Sequence, residues 1–276
     1  MCISSFLRQF RRKTASSRRI VPAPMASTTN VFITGVGKGI GKALAEVYLS
    51  RPNHVVIGSV RDVDAAPLKD FKAAAGSRLI LVKIEATSES DASEAAQTVR
   101  DAGITSLDIL IANAGMNPPS AFAPVANVKV EDMRHLFEVN TFSFVSLFNA
   151  FAPFLQATVD KKGPGSSPKL LGISSNAASI QDLLPAPVTS YGASKLVLNY
   201  LVRHIHLQNP WLTAWVMNPG FVQTDTGYAG ARAAGMEKPP HTIEESVAGL
   251  MQKLDSATRE ETSGGFYNFD GTVLRF

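Results

Sequence analysis

Tyr191 and Lys195 stand four positions apart in Tyr191-Gly192-Ala193-Ser194-Lys195. On a helix that spacing puts a phenol and an ammonium on one face. A free tyrosine has a pKa of about 10, too high for easy proton exchange near neutrality, and a neighbouring cation favours the phenolate. The pair reads as an acid–base device, with the lysine expected to lower the phenol toward the working range. Tyr191 would give a proton to a carbonyl oxygen under reduction, or take one from an alcohol under oxidation. Alone, such a pair is an ordinary contact on a solvated helix, so the reading needs other constellations beside it.

The second constellation is Thr34-Gly35-Val36-Gly37-Lys38-Gly39-Ile40-Gly41, which follows a short apolar run and leads into Lys42-Ala43-Leu44-Ala45-Glu46. Glycines at 35, 39 and 41 permit a tight turn and a close approach of pyrophosphate to the backbone, and the helix N-terminus attracts the anion. The strict G-x-G-x-x-G spacing is absent, because Ile40 and Lys42 flank the last glycine where the pattern needs a third one. Gly35, Lys38, Gly39, Ile40 and Gly41 are the expected nucleotide contacts. The choice of nucleotide turns on Gly58-Ser59-Val60-Arg61-Asp62. An acidic residue there binds the ribose 2′-hydroxyl of NAD, whereas an arginine accommodates a 2′-phosphate. Arg61 and Lys38 bring two cations and point to NADP(H); Asp62 is the counter-argument.

These residues need a scaffold that brings strand ends together. Val31 to Thr34, His54 to Val60, Leu79 to Ile84, Leu107 to Ala112, Leu170 to Ser174 and Thr213 to Met217 read as buried strands, short and bounded by turn residues. Between them Ile40 to Ser50, Ala65 to Ala75, Glu89 to Ala102, Val130 to Thr158 and Ser190 to Gln208 read as helices. Strand alternating with helix predicts an α/β fold with a mostly parallel, doubly wound sheet. The polar stretch Lys161 to Pro168 is expected to be a surface connection, since the same rhythm continues on both sides, and no internal repeat is visible.

The spacing T-G-x-x-x-G-x-G resembles that of the short-chain dehydrogenase/reductase family, and the similarity runs from about residue 29 to 276. Asn113-Ala114-Gly115 stands where the family has N-A-G, Ile173-Ser174-Ser175 closes the fifth strand, and Tyr191 to Lys195 supplies Y-x-x-x-K. Asn218-Pro219-Gly220-Phe221-Val222-Gln223-Thr224 matches the segment after the sixth strand, and Ser263 to Asn268 matches the final strand. The resemblance implies a single doubly wound Rossmann domain over residues 25–276 with a seven-stranded sheet. It implies Ser175 as hydrogen-bond donor to the substrate carbonyl and Asn140 as the residue linking the lysine to solvent. Lys195 would tune Tyr191 and hold the nicotinamide ribose. Glu85, Asn113, Pro219, Val222 and Thr224, with Tyr191 and Lys195, are the further cofactor contacts it implies. Ser175 precedes Tyr191 by 16 positions, more than is common in the family, which leaves Ser174 and Ser179 as alternatives. The extra length falls in Ile180 to Val188, whose Leu183-Leu184-Pro185 would line part of the substrate entrance. Asp225 to Thr242 should cover the site, with Tyr228 and Met236 as its main apolar contacts.

The implied activity is hydride transfer between NADP(H) and a ketone or secondary alcohol. The similarity is greatest to fungal-type ketoreductases and related carbonyl reductases, so an aromatic or aliphatic ketone is expected. A catalytically silent NADP(H)-binding sensor or scaffold is the alternative, and the Tyr191, Lys195, Ser175 and Asn140 set counts against it. Family members pair through the aromatic-rich helix and the helix bearing Tyr191, which implies a homodimer or homotetramer.

Composition narrows the partners. The chain has 276 residues, is 45% hydrophobic and carries a formal charge of +4. Six of its 27 basic residues (Arg8, Arg11, Arg12, Lys13, Arg18 and Arg19) lie within residues 1–24, which contain no acid, leaving 21 basic against 23 acidic groups elsewhere. A slightly acidic body argues against nucleic acid as a partner. The basic leader has the composition of a mitochondrial transit segment and equally that of a disordered extension before Met25-Ala26-Ser27. The expected location is cytoplasmic, or mitochondrial should the leader act as a transit peptide. Cys2 is the only cysteine, which fits a reducing compartment and excludes an intramolecular disulfide. His204 and His206 are two apart and face different ways on a helix, so no metal is expected. No membrane span is expected either, because the most apolar stretch, Val139 to Leu155, is broken by Asn140, Thr141, Ser143, Ser146 and Asn149.

Overall fold

The computed structural model describes residues 28–163 and 165–276, so the expectations for residues 1–24 lie outside the described residues. The apolar runs form seven strands: β1 (Thr29–Thr34), β2 (His54–Val60), β3 (Arg78–Lys83), β4 (Ile109–Ala112), β5 (Lys169–Ile173), β6 (Thr213–Asn218) and β7 (Phe266–Asn268). They build one sheet in the order β3-β2-β1-β4-β5-β6-β7, and every pairing is parallel. Among the described residues seven α-helices accompany them: α1 (Gly39–Leu49), α2 (Asp91–Asp101), α3 (Val130–Phe137), α4 (Ser143–Lys162), α5 (Thr189–Gln208), α6 (Asp225–Ala233) and α7 (Ile243–Ser256).

Alternation along the strands divides the core in two. Phe32, Ile57, Leu110, Leu170 and Val216 face one side, where Val99 of α2, Phe151 and Leu155 of α4, and Val202 of α5 cover them. Their neighbours Val31, Ile33, Val56, Ile111, Leu171 and Trp215 face the other, against Leu44 and Tyr48 of α1 and Val247, Leu250 and Leu254 of α7. Strands buried on both faces explain the nearly unbroken apolar runs in the sequence. Each fully buried side chain of this size contributes about 1.5–3 kcal/mol.

Four elements depart from the sequence reading. Ala65 to Ala75 is not an α-helix; only Pro67–Asp70 coils, as a single 3₁₀ turn. The amides and carbonyls that would have propagated it go elsewhere: Ala74 N–H donates to the Leu49 carbonyl at 2.8 Å, and the Ala75 carbonyl accepts from Asn53 N–H at 3.1 Å. The long helix begun at Val130 runs on to Lys162 but is interrupted by a π turn at Glu138–Phe142. Helices α6 and α7 were not anticipated. For α7 the signal was present, since Thr242 and Glu245 form a reciprocal capping box.

The helical run Val130–Lys162 is long and apolar enough to cross a membrane. In this fold Phe144, Leu147, Phe151, Phe154 and Leu155 are buried in the core, and Thr141 Oγ1 donates to the Ser194 carbonyl at 2.9 Å. About a third of its most apolar stretch is buried in this way, while Phe142 and Val145 stay exposed.

Candidate active site

The sheet order reverses between β1 and β4, so the chain leaves these neighbouring strands in opposite directions and opens a crevice at their carboxyl ends. The glycine-rich turn lies there. Gly35 and Gly39 hold positive φ values of 73° and 58°. At Gly41 a Cβ would sit 2.3 Å from the Gly35 carbonyl oxygen and 2.4 Å from Asn113 Nδ2. The N-terminus of α1, capped at Lys38, has no side-chain cap and no acid in its first turn. A close-fitting glycine cradle and uncapped helix amides fit a bound pyrophosphate. Asn113, expected among the cofactor contacts, directs its side-chain amide at this turn. Asn113 Nδ2 donates to the Thr34 carbonyl at 2.8 Å, while the Asn113 and Ala114 amides both donate to Thr34 Oγ1 at 2.9 Å.

At the end of β2, Arg61 is exposed and makes no ion pair among the described residues. Asp62 Oδ1 accepts the amides of Asp64 at 2.8 Å and Ala65 at 3.3 Å, so that carboxylate is engaged in a turn. Lys38 Nζ donates to Asp225 Oδ2 at 2.6 Å across the mouth of the crevice, with both side chains largely exposed. Asp225 is held below the usual carboxylate range by that contact. Glu85 is half-buried after β3 and gives its backbone N–H to Asp91 Oδ2.

The groups expected to carry the chemistry meet where β5 ends beside α5. Ser175 lies close enough to Tyr191 to oppose the upward shift of its phenol, and its hydroxyl accepts from the Ala177 amide at 3.2 Å. The other two serines are committed: Ser174 Oγ donates to Asn199 Oδ1 at 2.6 Å, and Ser179 Oγ accepts from the Asp182 amide. Lys195, only 4% exposed, donates from Nζ to the Ile173 carbonyl at 2.9 Å. Burial pushes its ammonium down to about 8. The expectation that Lys195 lowers the Tyr191 phenol is not what governs it here. Burial pushes Tyr191 above its ordinary value, and the opposing influence is Ser175. The ammonium is directed at a backbone carbonyl instead.

The π turn places Asn140 in the same neighbourhood. Its Oδ1 accepts from the Met116 amide at 2.8 Å, and its Nδ2 donates to the Met116 carbonyl and to Ser194 Oγ, each at 3.0 Å. A Cβ on Gly115 would lie 3.0 Å from Lys195 Nζ and 3.1 Å from Asn140 Oδ1. Gly115 therefore permits both side chains to approach the end of β4. Ser194, not singled out in the sequence, links Asn140 to α5 and donates to the Tyr191 carbonyl at 2.7 Å. Its place inside Y-x-x-S-K was the available signal.

Residues 29–232 match the short chain dehydrogenase family. The chain belongs to that family, the short-chain dehydrogenases/reductases. It is an oxidoreductase by this membership, and its sheet is the family's Rossmann-type sheet. It is 39% identical over 251 residues to the norsolorinic acid ketoreductase of Aspergillus parasiticus, covering 89% of this chain and 90% of that one. A short-chain dehydrogenase of Pyricularia oryzae is 40% identical over 256 residues, covering 91% and 99%. Among solved structures, the NADPH-bound carbonyl reductase from chicken fatty liver superposes with a TM-score of 0.80 at 28% identity, covering 91% of this chain and 95% of that one.

In this short-chain dehydrogenase/reductase the segment after β6 folds back over the turn. Thr224 Cγ2 would lie 3.4 Å from a Cβ on Gly39, and Thr224 Oγ1 caps α6 by accepting the Gly227 amide. The Val222 carbonyl accepts from Thr224 N–H, and the Pro219 carbonyl accepts from Ser246 Oγ at 2.6 Å. Phe122, after β4, and Phe221 both lie against Gly230 of α6, with Tyr228 and Met236 exposed on the same segment. The loop Ile180 to Val188 is fixed by a forked ion pair from Arg275 to Asp182 and leaves Leu183 exposed.

Proposed function

We propose that this chain is an NADPH-dependent ketoreductase that reduces a ketone to a secondary alcohol. The observation that carries the reading is a half-buried Tyr191 beside Ser175, one turn of α5 from a buried Lys195 whose Nζ is held by the Ile173 carbonyl at the end of β5. A phenol held above its ordinary pKa stays protonated at neutral pH, and that is the form that donates. Ser175 offers its hydroxyl to the carbonyl oxygen as charge develops there. Tyr191 transfers the proton, and Lys195 would hold the nicotinamide ribose and restore the proton through Asn140. NADPH, when bound, supplies the hydride.

The preference for NADP(H) is supported by Arg61, a cation at the end of β2 with no ion pair among the described residues, and by Asp62, whose Oδ1 is engaged in its own turn. Gly35, Gly39, Ile40 and Gly41 would hold the pyrophosphate, Lys38 and Arg61 the 2′-phosphate, and Glu85 would lie toward the adenine. Pro219, Val222 and Thr224 would line the nicotinamide side. The names of the fungal ketoreductase and the NADPH-bound carbonyl reductase agree with this reading. Phe122, Phe221 and Tyr228 around α6 favour an aryl ketone over an aliphatic one.

A homodimer or homotetramer through the π turn, α4 and α5 is part of the proposal, since Phe142, Val145, Tyr200 and Leu207 are exposed there. The proposed location is the cytoplasm, unless residues 1–24 redirect the chain to mitochondria, which a fluorescent fusion with and without those residues decides.

The test is a spectrophotometric screen of NADPH and NADH oxidation against aryl ketones, alkyl ketones, aldehydes and quinones. Turnover of an aryl ketone with NADPH at least tenfold above NADH is expected. Nucleotide binding without turnover of any carbonyl compound would overturn the proposal.

A further inference from the structure

Ile173, Ser174 and Ser175 leave the end of β5 in succession, and each is joined to a different turn of α5. The Ile173 carbonyl accepts from Lys195 at 2.9 Å, Ser174 Oγ donates to Asn199 Oδ1 at 2.6 Å, and Ser175 stands beside Tyr191. Residues 191, 195 and 199 are successive i, i+4 neighbours, so the three contacts run along one helix face. The Ser174–Asn199 contact is the one with no part in the chemistry, and both side chains are only 1% exposed.

Stability alone does not call for this pair. Asn199 Nδ2 is buried without a hydrogen-bond partner, and an orphaned buried donor costs about 1–3 kcal/mol. An apolar pair of similar size would avoid that cost. What a directional bond supplies, and an apolar contact does not, is a fixed register of helix on strand. Each residue of slip moves a helix by about 1.5 Å along its axis, enough to part Ser175 from Tyr191. A misplacement of about 1 Å can cost on the order of 100-fold in rate.

We propose that Ser174 and Asn199 are positioning residues: their buried hydrogen bond fixes the register of α5 on β5 and so sets the Ser175–Tyr191 contact. The inference rests on the reading of Tyr191 and Ser175 as reaction centre. Its test uses Ser174→Ala, Asn199→Leu, the double variant, Ser174→Thr and Tyr191→Phe. Each is assayed with NADPH and the carbonyl compound turned over fastest in the screen, at a temperature where circular dichroism shows it folded.

Ser174→Ala and Asn199→Leu should each lose tenfold or more in kcat, with both KM values within twofold and a displaced pH profile of kcat. Removing both polar partners leaves no orphan, so the double variant should match or exceed the single variants in Tm while kcat stays low. Ser174→Thr keeps the hydroxyl and should recover at least a third of wild-type kcat. A folded double variant with kcat within twofold of wild type and an unchanged pH profile overturns the positioning role. An active Tyr191→Phe instead overturns the reaction centre on which it rests.

Discussion

Lys195 shows how a side chain can cost stability at the position where chemistry is proposed. Its folded pKa is about 8 against an ordinary 10.5, because burial disfavours the ammonium. Between those two values the unfolded chain keeps a proton that the folded chain has released, so this site's contribution to stability rises with pH across that window. Below about pH 8 the charged form is buried at full cost, on the order of 3 kcal/mol at about 1.4 kcal/mol per pKa unit. Lys195→Met should therefore raise the Tm at pH 7 by several degrees, a gain that shrinks toward pH 10.5, while turnover is lost; a lower Tm at pH 7 would contradict the burial argument. In the intact enzyme kcat for reduction should fall as pH rises through about 8, read from an initial-rate profile. Arg61→Asp should weaken NADPH binding at least tenfold more than NADH binding by calorimetry, and equal losses would show that the 2′-phosphate is held elsewhere. Tyr191 and Lys195 were legible from sequence because their spacing carries the geometry, whereas Ser175 came from the family resemblance, with Ser174 and Ser179 as alternatives. Two facts were not legible: that Ser174 is tied to Asn199, and that the Asn113 amide serves the turn. Hydrogen-bond partners are chosen by tertiary contacts, which no local spacing encodes.

The glycine-rich turn is the element on which the cofactor proposal stands, and its glycines differ in what they tolerate. A Cβ at Gly41 would meet backbone oxygen at 2.3 Å, while at Gly37 the nearest atom is Val60 Cγ1 at 3.8 Å. Gly41→Ala should therefore lower stability by about 1–3 kcal/mol, as overpacking does, and abolish measurable nucleotide binding. Gly37→Ala should leave both nearly unchanged. Thermal melts with and without NADPH check both, and equal behaviour of the two variants would refute the cradle. The turn, the strands and α5 were readable because each is written in local periodicity and glycine placement. The link after β2 was misread because Leu68 and Phe71 have helical spacing, yet the ends of the segment are claimed by Leu49 and Asn53. The π turn at Asn140 could not be read, since one extra residue in a helical turn leaves the apolar pattern nearly intact.

At the scale of the molecule, the two-sided core and the parallel strand order bring all strand ends to one edge. Motifs spread from Thr34 to Thr224 can thereby share a crevice. The outer faces of α4 and α5 are different in kind: Tyr200 and Leu207, seven apart on α5, are 62% and 70% exposed, and Phe142 is 51% exposed. Sedimentation should give a dimer or tetramer, shifted toward monomer by Leu207→Glu with Phe142→Glu; a monomeric wild type at micromolar concentration would count against these faces as an interface. The reaction itself is tested most directly by Tyr191→Phe, with NADPH oxidation and NADPH affinity measured on the same preparation. Loss of the proton donor should lower kcat by about 10²–10⁴ while the dissociation constant stays within twofold of wild type. Turnover within tenfold of wild type would contradict the assignment of Tyr191 as the acid.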